Sequence, residues 1–430
     1  MNVEIYNYDK IFAATKGRVI NAPTSDKNKE LLLDFAEDCQ VGFNIARLSK
    51  PRVITLLTRL YIATLAIEKE WLMFDERDLK KLMLWLDGRF PLPNGAYSQE
   101  GYMIGLRKFV TWMRRKHGYP ETYPNRNKLT ELLPLSKYAY EVGRLQIRKP
   151  DRLRDAHTIP TDQEMEFLCN AAVNPRDKAY IEMSREHGER IGGLGTRQIK
   201  HVKFDQLGVI VTIHDKTFKG EPVRYIASNI YLRQWLEKHP FKNDPEAPLW
   251  IDLTKLPRCV PLNYHGFKAI ILRLVERHNR NAQKFGLQQI NKHITTHLFR
   301  YYAQTRDERQ GMPRTIMCKL RGWTPASKQP EKYARLTTDD VDEYLQKKAG
   351  LVVEGRDNPD KLVKCVRCKE INSAKSTYCL KCGLPMSGTA VIEMEDMMKK
   401  MDVVLGKLMQ DKEFAEMFDK KVTLLENDSK

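Results

Sequence analysis

Four side chains between residues 295 and 340 have the types and spacing to act on one group. His297 and Arg300 stand three apart in HLFRYYAQT, Trp323 follows Gly322 in LRGWTPASK, and Tyr333 comes ten positions after Trp323 in EKYARLT. Residues three apart on a helix share a face, so an imidazole and a guanidinium there converge on one small anion. The indole N–H and the phenol arrive from the next two short segments. Forked cations, a neutral donor and an oxygen nucleophile suit a phosphate better than a carbonyl substrate. His293 lies four before His297, but no Glu follows it and no third ligand is evident, which argues against a metal reading of that pair.

A second chemistry sits further on. Cys365-x2-Cys368-x10-Cys379-x2-Cys382 is a pair of knuckles whose four thiolates can meet around one tetrahedral Zn²⁺. A ribbon this small cannot fold on apolar burial alone, so its folding is expected to be coupled to zinc. Residues 361–382 hold six Lys/Arg against one Glu, a balance that suits DNA phosphates, although many ribbons bind protein. Cys39, Cys169, Cys259 and Cys318 are scattered and read as small hydrophobes in a reducing compartment.

The elements that position these groups can be read outward from them. Residues 262–285 and 228–239 read as helices, and GVIVTIHDKTFKGEPVRYIA (208–227) as a β-hairpin with its turn at DKTFKG. Thr161 and Glu164 form a capping box before MEFLCNAAV, with a second helix near 176–187. Upstream, 28–117 reads as four amphipathic helices, the last carrying Arg107, Lys108, Arg114, Arg115 and Lys116 beside Phe109, Trp112 and Met113. Residues 118–160 are a basic, Pro-rich linker, and 1–27 an N-terminal arm of little periodicity. After Tyr333, TTDDVDEYLQKKAG can form its own helix, capped at Thr337-Thr338 and ended by Gly350. Residues 390–425 place Ala390, Met394, Met397, Met401, Val404 and Leu408 at three–four spacing, an amphipathic helix that packs on its own chain or on a partner.

Composition sets the outer limits. The 430 residues allow two or three domains, and 73 Lys+Arg against 55 Asp+Glu give a net charge of +18 and a pI near 9.4. That excess is the electrostatic footprint expected of a protein that binds nucleic acid. The most apolar stretch, LYIATLAI at 60–67, is too short to span a bilayer, and no signal peptide is evident. No membrane association and a cytoplasmic protein, nucleoid-associated if prokaryotic, are the expectation.

In order and spacing, these segments resemble the tyrosine recombinases, the phage-integrase family. HGERIGG is similar to the family's first arginine box and supplies Arg190, His297-x-x-Arg300 to the second box, Gly322-Trp323 to the third, and EKYARLT with Tyr333 to the nucleophile box. The family's catalytic lysine belongs in the hairpin, where Lys216 fits best and Lys219 competes. Two departures stand out: Gly193 occupies the usual acidic place three after Arg190, leaving Glu186 or Glu189 to orient that arginine, and Tyr301 replaces a common His. The resemblance implies a mainly α fold with a small β-hairpin or sheet (α+β). Its parts would be a helical core-binding domain (28–117), a catalytic domain (161–350), a zinc ribbon (361–387) and an amphipathic helix (390–425). It further implies a site-specific DNA recombinase or integrase working on double-stranded DNA, as a homotetramer with a dimer per site, without ATP or catalytic metal. In that scheme Tyr333 attacks, Arg190 and Arg300 clamp the phosphate, and His297 and Trp323 assist. Lys216 protonates the leaving oxygen. Type IB topoisomerases share this chemistry, and a non-catalytic zinc-ribbon regulator on the same scaffold is the alternative from another class. The ribbon and the last helix lie outside the resemblance.

Overall fold

The computed structural model describes residues 3–92, 95–116, 156–214, 219–350, 362–373, 376–411, 413–418 and 420. It is mainly helical with small antiparallel sheets and divides into two compact units, Tyr6–Leu153 and Met1–Ile5 with Arg154–Lys430. The linker expected at 118–160 falls outside the described residues except for 156–160.

In the first unit the expected four helices are α2 (Asp26–Val41), α3 (Lys50–Ile67), α4 (Glu76–Arg89) and α5 (Ala96–Lys116), and a further helix α1 (Tyr8–Ile20) precedes them. The arm reading of 1–27 is thereby corrected. Phe12, Thr15 and Val19 form the buried stripe of α1, and Thr15 hides its hydroxyl by donating to the Ile11 carbonyl at 2.8 Å. A polar Thr in mid-stripe is what concealed the helical period. Ends are set by local chemistry: Ser25 caps α2, Gly42 closes it at φ +88°, Pro51 occupies the first turn of α3, and Asp75 with Asp78 forms a capping box on α4. The core is aromatic, with Phe109 edge-on to Phe35 and to Trp71 at centroid distances of 5.3 Å each. The buried indoles are satisfied, Trp71 donating to Thr64 Oγ1 at 2.8 Å and Trp112 to Asp38 at 2.6 Å.

The second unit opens with α6 (Asp162–Ala171), whose capping box is formed as expected: Thr161 N donates to Glu164 at 2.7 Å and Glu164 N to Thr161 Oγ1 at 3.1 Å. Next come α7 (Pro175–His187) and the single turn α8 (Ile191–Leu194). The hairpin is part of a three-stranded antiparallel sheet, β1 (Val202–Asp205), β2 (Gly208–His214) and β3 (Lys219–Tyr225), with Val202 opposite Val211 and Val211 opposite Val223. Val209, Val211 and Ile213 alternate inward, the period expected of a strand with one buried face. Then follow α9 (Asn229–Glu237), α10 (Tyr264–Phe285), α11 (Leu298–Arg309), α12 (Arg314–Leu320), α13 (Gln329–Tyr333) and α14 (Thr338–Lys348). The ribbon contributes β4 (Leu362–Lys364) and β5 (Ile371–Ser373), and α15 (Gly388–Leu408) follows it. Among the described residues no helix is long and apolar enough to cross a membrane.

Candidate active site and metal centre

The site is built where α11 crosses the end of α7. That helix stops at Gly188, whose φ of +60° lies in the left-handed region. A Cβ on Gly188 would stand 2.6 Å from the Arg300 Cα and 2.7 Å from the Phe299 carbonyl oxygen. Glycine two positions before Arg190 is therefore a steric requirement of the α7–α11 contact. With no side chain between them, the Gly188 carbonyl accepts from Arg300 Nη1 at 3.2 Å. Arg190, one position beyond Glu189, is half-buried at the start of α8.

On its other side Arg300 donates through Nη2 to the Arg321 carbonyl at 3.3 Å. Arg321 leads into Gly322, at φ +65°, and Trp323, whose N–H donates to the Cys318 carbonyl at 2.7 Å. A buried charge network fixes this turn. Arg321 is 0 % exposed and pairs with Asp307, 1 % exposed, at 2.5 Å. Asp307 also holds Arg306 at 2.8 Å, and Arg306 reaches back to the carbonyls of Arg185 and Glu186 at 3.0 and 2.6 Å. Asp307 thus ties α11 both to the Gly-Trp turn and to the end of α7.

Tyr333, at the end of α13, lies face to face on Trp323, with centroids 5.6 Å apart and planes 9° from parallel. His297 and Tyr301 meet the same phenol ring edge-on at 5.5 and 4.9 Å. The Arg300 guanidinium sits 4.8 Å from the Trp323 centroid and 5.4 Å from that of Tyr333, within cation–π range of both. Trp323 Nε1 is buried and has no hydrogen-bond partner among the described residues. The structure thus brings Arg300, Trp323, Tyr333 and His297 into one cluster. Lys216 falls in 215–218, outside the described residues; the backbone of its competitor Lys219 pairs with His214.

Burial pushes the Arg300 pKa down to about 10; the Glu189 carboxylate opposes that fall, and the Arg190 and Arg321 guanidiniums add to it. Even so displaced, Arg300 carries its full charge at neutral pH. Glu189 is 4 % exposed, and its charge also raises the Tyr225 phenol, which burial chiefly pushes up. The other acid considered for orienting Arg190 is committed elsewhere. Glu186 accepts from the backbone N–H groups of Ile226 and Ser228 at 2.7 and 2.8 Å and from the Ser228 hydroxyl at 2.6 Å, so it anchors the turn between β3 and α9. Glu189 is the acid whose charge acts on Arg300.

Sequence reasoning missed Asp307, Arg321 and Arg335 as parts of this assembly. Asp307 lies seven residues, two helical turns, after Arg300, a spacing that puts both on one face and was open to reading. Arg335 gave no such signal: its guanidinium sits 5.2 Å from the Tyr301 ring and its N–H donates to Thr305 at 3.1 Å, both products of tertiary packing. After the tyrosine, Asp340 closes a capping box with Thr337 and takes a two-pronged contact from Arg309 at 2.7 and 3.1 Å, docking the start of α14 on α11.

The four ribbon cysteines converge. Their sulfurs all lie within 4.8 Å of one another, with Cys365 to Cys382 at 3.7 Å and Cys368 to Cys379 at 3.5 Å. A tetrahedral Zn–S₄ centre with bonds of about 2.3 Å places its sulfurs about 3.8 Å apart, so the donor set fits that ion. Each knuckle turns through a left-handed residue after its second cysteine, Lys369 at φ 59° and Gly383 at φ 69°. Against its burial, the backbone N–H groups of Cys382 and Lys381 bring the Cys379 thiol down to about 6, towards the thiolate a metal needs. Asn372 completes the support, taking the Leu380 N–H at 2.9 Å, donating to the Glu370 carbonyl at 2.9 Å and lying 3.6 Å from Cys379 Sγ. The ribbon sits against the helices of its own unit. Asn229 donates to Glu370 at 3.2 Å, and a cleft of about 220 Å³ between α6, α7, α9 and the ribbon is lined by Glu166, Lys178, Glu182, Tyr231, Thr377 and Leu380.

Residues 160–339 match the model of the phage integrase family. They form a domain of that family, the tyrosine recombinases. No curated protein matches the chain. Among solved structures the fold is similar to the Tn1549 transposon integrase in complex with transposon right end DNA, at 15 % identity over 74 % of this chain and 99 % of that one (TM-score 0.49). It is likewise similar to the XerH site-specific recombinase bound to palindromic difH substrate (16 % identity, 79 % and 94 % coverage, TM-score 0.48) and to a lambda integrase dimer bound to a COC' core site (13 %, 71 % and 76 %, 0.47).

Proposed function

We propose that this protein cleaves and rejoins DNA strands at a specific site through a covalent phosphotyrosine. The observation that carries the proposal is the stacking of Tyr333 on Trp323 with the Arg300 guanidinium within cation–π range of both rings and His297 at the ring edge. The Tyr333 phenol loses its proton, with His297 as acceptor, and its oxygen bonds to the scissile phosphorus. The bond from phosphorus to the sugar oxygen breaks, and that oxygen takes a proton from Lys216. Because the phosphodiester energy is kept in the protein–DNA bond, attack by another strand's hydroxyl reverses the step without ATP. Charge grows on the non-bridging oxygens in the transition state, where Arg190 and Arg300 stabilise it. Trp323 Nε1, a buried donor with no partner among the described residues, gains one in a phosphate oxygen. Glu189 favours the charged form of Arg300 and takes the place of the acid absent at Gly193.

In this reading double-stranded DNA is the partner, the protomers assemble on it as a tetramer with a dimer per site, and the enzyme works where the chromosome is, in the cytoplasm or nucleoid. The ribbon cysteines hold a structural Zn²⁺ that takes no part in the strand transfer. The test is incubation with a nicked suicide substrate carrying the native site. Wild type should trap a denaturant-stable adduct, and Tyr333→Phe should bind the DNA but form none. An adduct with the Phe variant overturns the assignment. Relaxation of supercoils without strand exchange would instead identify a topoisomerase.

A further inference from the structure

Helix α15 is fixed at one end and bare along the rest. Ser387 caps α15 by accepting from Ala390 N at 3.2 Å, and Tyr378 of the ribbon donates to Glu393 at 3.2 Å, so the first turn is held against the ribbon. From Glu395 to Leu408 every residue is exposed, including Met397, Met398, Met401, Val404, Leu405 and Leu408. Most helical stability in proteins comes from burying an apolar face, and this helix leaves its own open.

Its surface states what would cover it. At 100° per residue, Ala390, Met394, Met397, Met398, Met401, Val404, Leu405 and Leu408 fall on one stripe about 120° wide running the length of the helix. One edge of that stripe is acidic, with Glu395 and Asp402 a heptad apart. The other carries Glu393 and Asp396 in its first half and Lys400 and Lys407, also a heptad apart, in its second, each lysine five residues after Glu395 or Asp402. Two parallel copies set the acidic edge of each against the basic edge of the other on both sides of the seam. An antiparallel pair would set like edges together. The pattern is self-complementary in one orientation only.

We propose that α15 is a self-association element whose occupant is the α15 of a second copy of this chain, packed parallel. A stable interface buries about 800 Å² per partner over 20–30 residues, more than one helix stripe supplies, so the pairing is weak between free protomers. It is partly populated at tens of micromolar and becomes complete when protomers are held close together, where the effective concentration reaches the millimolar range. The inference does not depend on the catalytic reading, because it is tested by association without DNA.

The experiment is sedimentation of the zinc-loaded full chain at about 1–100 μM, a range that brackets weak association. Wild type should show a concentration-dependent shift from monomer to dimer or higher. Met401→Glu/Leu405→Glu should weaken association at least tenfold while circular dichroism and adduct formation on suicide DNA are kept. The orientation is tested by charge reversal. Lys400→Glu/Lys407→Glu and Glu395→Lys/Asp402→Lys should each lose self-association, and an equimolar mixture of the two should regain it. A wild-type chain that stays monomeric through 100 μM overturns the proposal. So does undiminished association of the Met401/Leu405 variant, or a mixture no stronger than its components.

Discussion

Asp307 is where the structure makes its most quantitative claim. Its carboxylate is 1 % exposed and faces Arg321, itself 0 % exposed, at 2.5 Å, with Arg306 on the same oxygen set at 2.8 Å. Asp307→Asn keeps the shape but leaves the Arg321 charge buried without its counter-ion. Breaking a buried pair from one side costs about 3–5 kcal/mol, because the remaining ion keeps its desolvation penalty. For a unit of this size that is a fall in melting temperature of roughly 6–20 °C. The loss is specific to the imbalance, so Asp307→Leu/Arg321→Met, which removes both ions, should recover most of it. Thermal unfolding followed by circular dichroism reads the stability. Adduct formation below the variant's melting point reads the consequence for the turn that carries Trp323. A single variant that melts within about 2–4 °C of wild type, the equivalent of 1 kcal/mol, would refute the reasoning, as would a double variant no better than the single.

Arg190→Lys and Arg300→Lys should each slow cleavage by about 2–4 kcal/mol, roughly 30- to 1000-fold, while DNA binding measured by gel shift falls much less; equal losses in both would make these residues simple DNA contacts. Glu189→Gln removes the charge that opposes the fall in the Arg300 pKa, so Arg300 should lose its proton at lower pH and the alkaline limb of the cleavage profile should move to lower pH. An unmoved limb with unchanged rate would release Glu189 from that role. Stripping zinc with a chelator, or truncating after residue 355, should leave Tyr333 able to form its adduct while site affinity or complete recombination weakens. Folded but cleavage-dead truncated protein would place the tail inside the catalytic apparatus.

What could be read in the sequence was what local chemistry decides. The capping box at Thr161, the strand alternation at Val209, Val211 and Ile213, and the two cysteine knuckles each depend on residues close in the chain, and each is present. The first helix escaped because Thr15 interrupts its stripe, an error the Ile11 carbonyl explains. Long-range selection was not legible. Nothing local distinguishes Glu186 from Glu189; only the arrival of the 226–228 turn, forty residues on, claims the former. Gly188 could be matched to a pattern but not understood until the Arg300 backbone is seen 2.6 Å from its missing Cβ.

The two chemistries of the chain meet on one helix. Lys178, Glu182 and Arg185 of α7 line the cleft against the ribbon, and the same helix runs on into Gly188, Glu189 and Arg190. Arg185, the last α7 residue of that cleft, lies three residues, about 4.5 Å of helix rise, before Gly188. A helix transmits position, and α7 is pinned at its far end by the Gly188–Arg300 hydrogen bond and by Arg306 on the Arg185 and Glu186 carbonyls. Those pins lie within the catalytic fold and survive loss of the ribbon. The ribbon can therefore bias where Arg190 sits only as far as the Asp307 network yields. Combining zinc removal with Asp307→Asn should cost cleavage more than the sum of the two separate losses, and strict additivity would show that ribbon and site are mechanically independent.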